Sequence, residues 1–522
     1  MEWKTLSNLK LTLSESEEKL KRIAEKKLGG KLGSFKILKK SLDARDKKDI
    51  HHVYSIAFSA EQIHLNEEKI ERISENKRPK LPVLVVGSGP AGLFCAIRLI
   101  DRGFKPILIE RGDSVEEREK KIRSFILDGT LDGECNVQFG EGGAGTFSDG
   151  KLNTQTHSGW NKEVLSTFVR FGAPEEIEYL NKPHIGSDNL KKVVKNMREY
   201  ILDNGGTVEF NAKLCDIAVK EGRLVSVRIS KKKNGRTYEE EKAVSALVLA
   251  IGHSARDTFE MLLSRGVKME RKDFAIGARI EHLQSEISLS QYGKVHPLLP
   301  PADYKLVSHA SDRAAFTFCM CPGGYVMPAA SEEGGVVTNG MSNYARDGVN
   351  ANSALIVQVR SSDLTGESPL AGVEFQRAIE RAAFEAGGRN YFAPVQLVGD
   401  FLRGRESAAF KSVLPTYGAG EKSVSFAPME AVLPAFICDA MKGAIEDMDR
   451  RLKGFACPDA ILTAAETRTS SPVRIVRDDG LCAVGISGLY PCGEGAGYAG
   501  GITSSAADGL RVAERLFCLF NG

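Results

Sequence analysis

A doubly wound α/β fold with an inserted β-rich domain and a small N-terminal α+β module is predicted by three features of this 522-residue chain. An apolar strand, Val83 to Val86, runs directly into the glycine-rich turn Gly87-Ser-Gly89-Pro-Ala-Gly92 and then an apolar helix. Strands and helices alternate from Pro82 to Ile251, the rhythm of a parallel sheet with crossover helices. From about residue 267 to 440 the pattern changes to strands and loops.

Composition narrows the class. Hydrophobic residues are 42% and charged residues 27% of the chain, an ordinary globular mix. Lys and Arg number 71 against 68 Asp and Glu, a net charge of +3, so no DNA partner is expected. Ten cysteines do not make a disulfide scaffold, and no paired metal-ligand spacing occurs, so no metal site is expected. The apolar stretch Leu81–Ile100 is interrupted by Gly87, Gly89, Pro90, Gly92 and Arg98. No membrane span is expected there, and the N-terminus shows no signal pattern, so a cytoplasmic protein is the default.

The first 78 residues read as β-α-β-β, half of a ferredoxin-like unit. Leu9 to Leu13 alternates as a strand, and Ser14 with Glu17 predicts a capping box for the helix that Gly29-Gly30 ends. Ser34–Leu38 and His52–Phe58 follow as strands, and Glu61–Lys77 as a charged helix. Lys39, Lys40, Arg45, Lys47 and Lys48 read as a solvated basic turn. Pro82–Gly87, Lys105–Glu110, Thr207–Phe210 and Leu247–Ile251 are predicted strands; Ala91–Gly103 and Leu190–Asn204 are predicted helices. A hairpin turns at Asn234-Gly235. Farther on, Ala351–Val359 and Gly372–Ala386 are predicted helices. The expected units are 1–78; 80–155 with 190–265 and 455–522; and the insertion 156–189 with 266–454.

The glycine turn is a dinucleotide fingerprint of Rossmann type. Gly87 permits the turn, Gly89 lets a pyrophosphate approach, and Gly92 packs helix on strand, with Pro90 and Ala91 opening the helix. That helix N-terminus offers N–H groups to phosphate. Glu110, eighteen residues after Gly92, is placed to accept hydrogen bonds from a ribose diol.

These residues resemble a known pattern. Gly87 to Gly92 with Glu110-Arg111 resembles the FAD site of the glutathione-reductase-like flavoprotein superfamily. Ala246 to Gly252, with Ala250 and Gly252 at its turn, is similar to the second strand motif of that superfamily. Leu489 to Gly495 is similar to its late motif, with Gly493 matching and Glu494 standing where Asp is usual. Gly501 and Ile502 open a helix that, by resemblance, points at the pyrimidine end of the flavin. A finer resemblance, to bacterial FAD-dependent dehydrogenases, covers nearly the whole chain. It is carried by Ser41–Asp46, Cys135–Lys151, Phe318–Tyr325 and Glu466–Pro472. The resemblance implies FAD as cofactor and leaves the substrate open.

Gly140 to Lys151 is rich enough in glycine to turn consecutive N–H groups into one concavity. Gly143, Gly145, Thr146, Ser148 and Lys151 are expected cofactor contacts. Cys319 and Cys321 are either a redox pair or packing residues. Cys135 and Cys492, beside cofactor motifs, read as packing. Glu466, Arg468 and Thr469 are expected either to bind an anionic substrate or to form a structural pair. Arg279 and Glu281 share one strand face, His282 takes the other, and His253 reads as structural. No catalytic residue is assigned. No second fingerprint lies between 150 and 470 and no redox CxxC follows the first, so a disulfide reductase is not expected.

The expected activity is therefore that of an FAD-dependent oxidoreductase moving a hydride between flavin and a small-molecule substrate. NAD(P)H or another electron donor is expected only as a transient partner. The rival readings are an RNA-modifying flavoprotein docking through its basic module and a non-catalytic electron relay needing a partner. The oligomeric state is not legible.

Overall fold

The computed structural model describes residues 3–63, 70–153, 158–233 and 235–522. At its start β1 (Lys4–Thr12), α1 (Glu18–Leu28), β2 (Ser34–Asp43) and β3 (His51–Ser59) make an antiparallel sheet, ordered β1-β3-β2. Leu11, Leu20, Ala24, Tyr54, Ile56 and Phe58 form its own core. The expected capping box is absent. Glu17 is itself the N-cap, and its carboxylate accepts from Lys40 Nζ at 2.7 Å and Tyr54 OH at 3.0 Å. Much of the basic turn is spent internally: Arg45 pairs with Asp43, and Lys47 donates to the Ser290 carbonyl. Main-chain bonds between Lys40 and residues Tyr179 and Asn181 dock the module on the following domain. Of the helix expected over Glu61–Lys77, only a short 3-10 turn, Glu75–Lys77, is present among the described residues; residues 64–69 lie outside them.

The next stretch holds β4 (Val83–Val86), α2 (Pro90–Asp101), β5 (Ile107–Ile109), α3 (Val115–Asp128), α4 (Trp160–Arg170), α5 (Ser187–Asp203) and β6 (Thr207–Glu209). A three-stranded antiparallel sheet follows, β7 (Ala212–Lys220), β8 (Arg223–Lys233) and β9 (Arg236–Ala243). Asn234 of its predicted turn lies outside the described residues. Next come β10 (Ala246–Leu249) and α6 (Arg256–Ser264).

Then come β11 (Met269–Arg271), β12 (Phe274–Leu283), α7 (Gln284–Tyr292), β13 (Val307–Ser308), β14 (Ala315–Cys321), β15 (Tyr325–Pro328), β16 (Thr338–Met341), β17 (Asn350–Val359) and α8 (Ala371–Ala386). The chain continues through β18 (Ala393–Leu397), α9 (Val398–Arg403), β19 (Val424–Phe426), α10 (Ala435–Arg451) and β20 (Ile461–Glu466). It closes with β21 (Val473–Ile475), β22 (Leu489–Pro491) and α11 (Ile502–Asn521).

Two large sheets organise these elements. The first is wholly parallel, in the order β22-β10-β4-β5-β6. Its central strands β4 and β10 are buried at every residue, which is why they read as continuous apolar runs. Helices α2 and α11 share one core with β4 and β10. The second sheet, β13-β14-β17-β12-β20-β18-β19, is antiparallel except for its last pair.

Three expectations need correction. The 156–189 segment, assigned to the insertion, packs with the parallel sheet: Val164 and Phe168 of α4 join its core, Phe168 edge-on to Phe94 at 4.9 Å. The boundary at 455 falls too early, because β20 lies inside the seven-stranded sheet. Ala351–Val359 is a strand, not a helix. It is buried on both faces between β14 and β12, so its apolar residues do not alternate and do not reveal its period. No helix among the described residues is long and apolar enough to cross a membrane.

Candidate functional site

The carboxyl ends of the parallel strands open into one cavity. Gly87 follows β4, Glu110 follows β5, Ala250 to Gly252 follow β10, and Cys492 with Glu494 follow β22; all line it. Ligands of open α/β sheets bind at these ends, because the loops leaving adjacent strands converge there. Gly87 has a φ of +98°, and a Cβ on it would lie 2.3 Å from the Ala250 carbonyl oxygen. A Cβ on Gly92 would lie 1.8 Å from the Gly87 oxygen, so Gly92 is a packing residue beneath the turn and does not line the cavity.

Two helix N-termini face this space. Gly89, Pro90 and Ala91 bring in the start of α2, and Gly500, Gly501 and Ile502 the start of α11. Each offers unpaired N–H groups and a positive dipole end. The late motif is held by a buried ion pair: Arg477 donates to both Asp508 oxygens (2.9 and 2.7 Å), and Asp508 Oδ2 accepts from Gly493 N–H at 2.8 Å. Gly493 itself lies against Ala91, outside the cavity lining.

Glu110 and Arg111 line the cavity but are already engaged. Glu110 Oε2 accepts from Ser88 N–H (2.9 Å) and Ser88 Oγ (2.8 Å), and Oε1 from Gly112 and Gly140 N–H, both at 3.0 Å. The carboxylate staples three loops together besides facing the ligand space. Arg111 donates to Glu134 and Asp257 and lies over the Phe139 ring.

The glycine loop behaves in part as expected. Gly143, Gly145, Ser148 and Lys151 line the cavity. Thr146 does not: it is fully buried, with Oγ1 directed at the Glu141 carbonyl (3.4 Å). The Ser148 hydroxyl donates to the Gly145 carbonyl at 2.7 Å, so it serves the loop's shape. Lys151 Nζ is buried without a hydrogen-bond partner.

The opposite wall comes from the seven-stranded sheet and the segments beside it: Phe318, Cys319 and Cys321 of β14, Asn339 and Gly340 of β16, then Glu466, Arg468 and Thr469. Cys319 opens into the cavity at a φ of +42°, where β14 bulges against β17. Cys321 is buried behind it. Desolvation by the cavity walls pushes the Cys319 thiol up to about 12 and raises Cys321 also, against the activated thiolate a redox pair requires. Position at the cavity favours the redox reading; acidity opposes it.

Two buried carboxylates flank this wall, their acidities pushed in opposite directions. Glu380 works against burial through Arg468 and Arg256, which hold it well below the usual range. Arg256 donates to both its oxygens at 2.8 Å, Arg468 at 3.0 and 2.9 Å, and Thr467 Oγ1 at 2.7 Å. Burial instead raises Glu466, against a single guanidinium, Arg279, at 3.5 Å and a Thr338 hydroxyl at 3.2 Å. Arg279 directs its closer bonds to Asn352 and the Cys319 carbonyl. Arg468 is therefore held structurally by Glu380, and the Thr469 hydroxyl by the Ala275 carbonyl at 2.8 Å.

Glu281 and His282 stand apart from the cavity. Glu281 accepts from Asn350 and Thr416; burial raises its carboxyl. His282 bonds the Phe455 carbonyl, and burial lowers it to about 4. His253, read as structural, lines the cavity: Nδ1 lies 3.4 Å from Glu494, and Nε2 is buried without a hydrogen-bond partner. Asn339 and Gly340 had no sequence signal, since only strand pairing brings them here.

The residues fit FAD. Helix α2 and its glycine turn would hold the pyrophosphate, the Glu110 turn the adenosine end, and the start of α11 the flavin end. Among the described residues that line the cavity, the buried Nε2 of His253 and Nζ of Lys151 lack hydrogen-bond partners.

Comparison with known proteins agrees. Residues 82–118 match a model described as an FAD binding domain, 273–469 the FAD-dependent protein C-terminal domain-like family, and 4–59 a domain of unknown function, DUF8436. A protein of Clostridium beijerinckii described as uncharacterized is 46% identical over 541 positions, covering 99% of each chain. The dual trans-enoyl reductase/FAD-dependent monooxygenase tazHJ of Aspergillus terreus is 28% identical over 165 positions, 29% of this chain and 20% of that one. Among solved structures, the flavin-dependent brominase Bmp2 superposes with a TM-score of 0.39 at 13% identity, over 85% of this chain and 80% of that one. The fumarate reductase subunit FrdA of E. coli gives 0.37 at 12%, over 84% and 70%. The chain belongs to the same family as the Clostridium protein, FAD-binding flavoproteins that carry the FAD-dependent C-terminal domain, and its cofactor is FAD.

Proposed function

We propose that this flavoprotein is an oxidoreductase, a dehydrogenase or reductase of a small organic substrate, built on the Rossmann-type plan of the glutathione-reductase-like superfamily. The observation that carries this reading is the composition of the cavity. One wall is made of strand ends, glycine turns and helix N-termini suited to FAD. The other offers ionisable side chains, Cys319 and Glu466, from a different sheet. A ligand lying between the walls would meet cofactor on one side and side chains on the other. When bound, FAD supplies hydride acceptance or donation; the chain supplies orientation and charge. Glu466, kept toward its neutral form by burial, would hold a proton facing that space.

The test is anaerobic reduction of the purified yellow protein by a metabolite panel, followed at the flavin bands. Saturable bleaching by at least one metabolite is expected. NADH and NADPH should reduce it slowly or not at all, because a second nucleotide-binding fingerprint is missing from the sequence. Fast reduction by nicotinamide alone would make it a nicotinamide-driven enzyme, and no bleaching by any donor would refute the proposal.

A further inference from the structure

The ammonium of Lys151 is the unresolved charge of the cavity. It is buried and makes no hydrogen bond, and its ionic neighbour is Asp149 at 3.3 Å. Asp149 is already satisfied elsewhere: Arg346 donates to its two oxygens at 3.1 and 2.6 Å, and Ser342 Oγ donates at 2.5 Å. An ammonium has three donors and no acceptor, so burying it without acceptors is costly.

Lys151 shares the cavity with Cys319 and Cys321, and its charge acts on both thiols. Arg279 sits behind them, donating to the Cys319 carbonyl at 2.9 Å with Cys321 Sγ 3.8 Å away. The charge of Arg346 also reaches Cys321. Around this thiol pair, Lys151, Arg279 and Arg346 stand against Asp149 and Glu466. One positive charge is left over with both carboxylates ionised, and two when Glu466 holds its proton. The two arginines are committed to protein acceptors. The excess charge with free donors is therefore that of Lys151, which lines the cavity together with Cys319 and Cys321.

We propose that the cavity takes a substrate bearing a carboxylate, and that Lys151 is the residue that pairs with it. This assigns Lys151 to the substrate and not to the cofactor, as the glycine loop alone had suggested. The inference rests on the oxidoreductase reading, but it is tested by binding and not by turnover, so each can fail separately.

The experiment titrates the FAD-loaded protein with acetate, benzoate and succinate, each beside its amide (acetamide, benzamide and succinamide). Binding is read as a saturable shift of the flavin absorption bands. At least one acid should bind roughly tenfold or more tightly than its amide, the difference expected for one charge-assisted contact. Lys151→Met should lose that preference and keep its FAD, and Lys151→Arg should retain it. Acids and amides binding alike would overturn the proposal, as would three acids that all leave the bands unchanged. An unaltered preference in Lys151→Met would also overturn it. If Lys151→Met is folded by circular dichroism but purifies without FAD, Lys151 belongs to the cofactor and the proposal fails.

Discussion

The two walls of the cavity recognise by different means. The cofactor wall presents backbone: glycine turns after β4 and β10, and the first N–H groups of α2 and α11. The facing wall presents side chains, delivered by β14 and β16 and, more than a hundred residues later in the chain, by β20 and the segment after it. Backbone recognition requires glycine at fixed spacing and leaves a local signature. Side-chain recognition requires only that strands pair in the right register, and any residue type can stand there. The facing wall itself contains a second contrast, between Glu380, clamped by two guanidinium groups, and Glu466, with one distant guanidinium and a hydroxyl.

That contrast gives the largest expected effect. Glu380→Gln removes the fully buried anion shared by Arg256 and Arg468, leaving only the partly exposed Glu332 beside them, and should cost about 3–5 kcal/mol. The sign with pH follows from its depressed folded pKa. The stabilisation is complete above the unfolded carboxyl range near ~4.3 and is lost as pH falls below it. Urea unfolding of wild type and variant should therefore differ strongly at neutral pH and converge in acid. A gap below about 1 kcal/mol at neutral pH would place Glu380 in the same class as Glu466.

The cofactor wall is tested next, through Glu110. Glu110→Ala removes the acceptor for the N–H groups of Ser88, Gly112 and Gly140. Loss of FAD affinity by about 1.5–3 kcal/mol, tenfold or more, is expected, together with a lower melting temperature. If Glu110 holds the adenosine ribose, FMN binding should fall less than FAD binding. Equal loss of both would show that Glu110 acts only by holding the loops.

Glu466→Gln should act in the opposite sense to Glu380→Gln, and more weakly. A folded pKa raised by burial contributes stability that is present below the unfolded value and lost as pH rises through the folded one. The variant should thus gain on wild type as pH increases. A variant that weakens as pH rises would show that Arg279 keeps Glu466 ionised.

The smallest effect is expected at Cys319. It opens into space, so Cys319→Ser buries no new hydroxyl and should change stability by about 0.5 kcal/mol or less. FAD content should be unchanged. If substrate-dependent flavin reduction disappears while FAD stays bound, the redox reading of the Cys319–Cys321 pair returns.

How much of this was legible follows the same division. The fingerprint, the Glu110 turn, the Ala250–Gly252 turn and the start of α11 could be found because each is a short run with a backbone requirement. Even there, Thr146 was misplaced, since a hydroxyl's direction depends on the nearest carbonyl and not on its neighbours in sequence. The run Ala351–Val359 was misread as helix because burial on both faces erases the alternation that marks a strand. His253 read as structural and proved to line the cavity.

The sequence by itself determined the glycine cradle, whose turn rests on residues a few positions apart; the parallel sheet was read from the alternation of strands and helices, and FAD from a resemblance carried by several short motifs. Only the tertiary structure decided which charges are spent. Glu466 and Glu380 are both glutamates, and Lys151 and Arg346 both cations, with nothing in their local sequence to separate them. Their states depend on how many partners the fold brings within hydrogen-bond reach in a medium that screens poorly, and that is a property of packing alone.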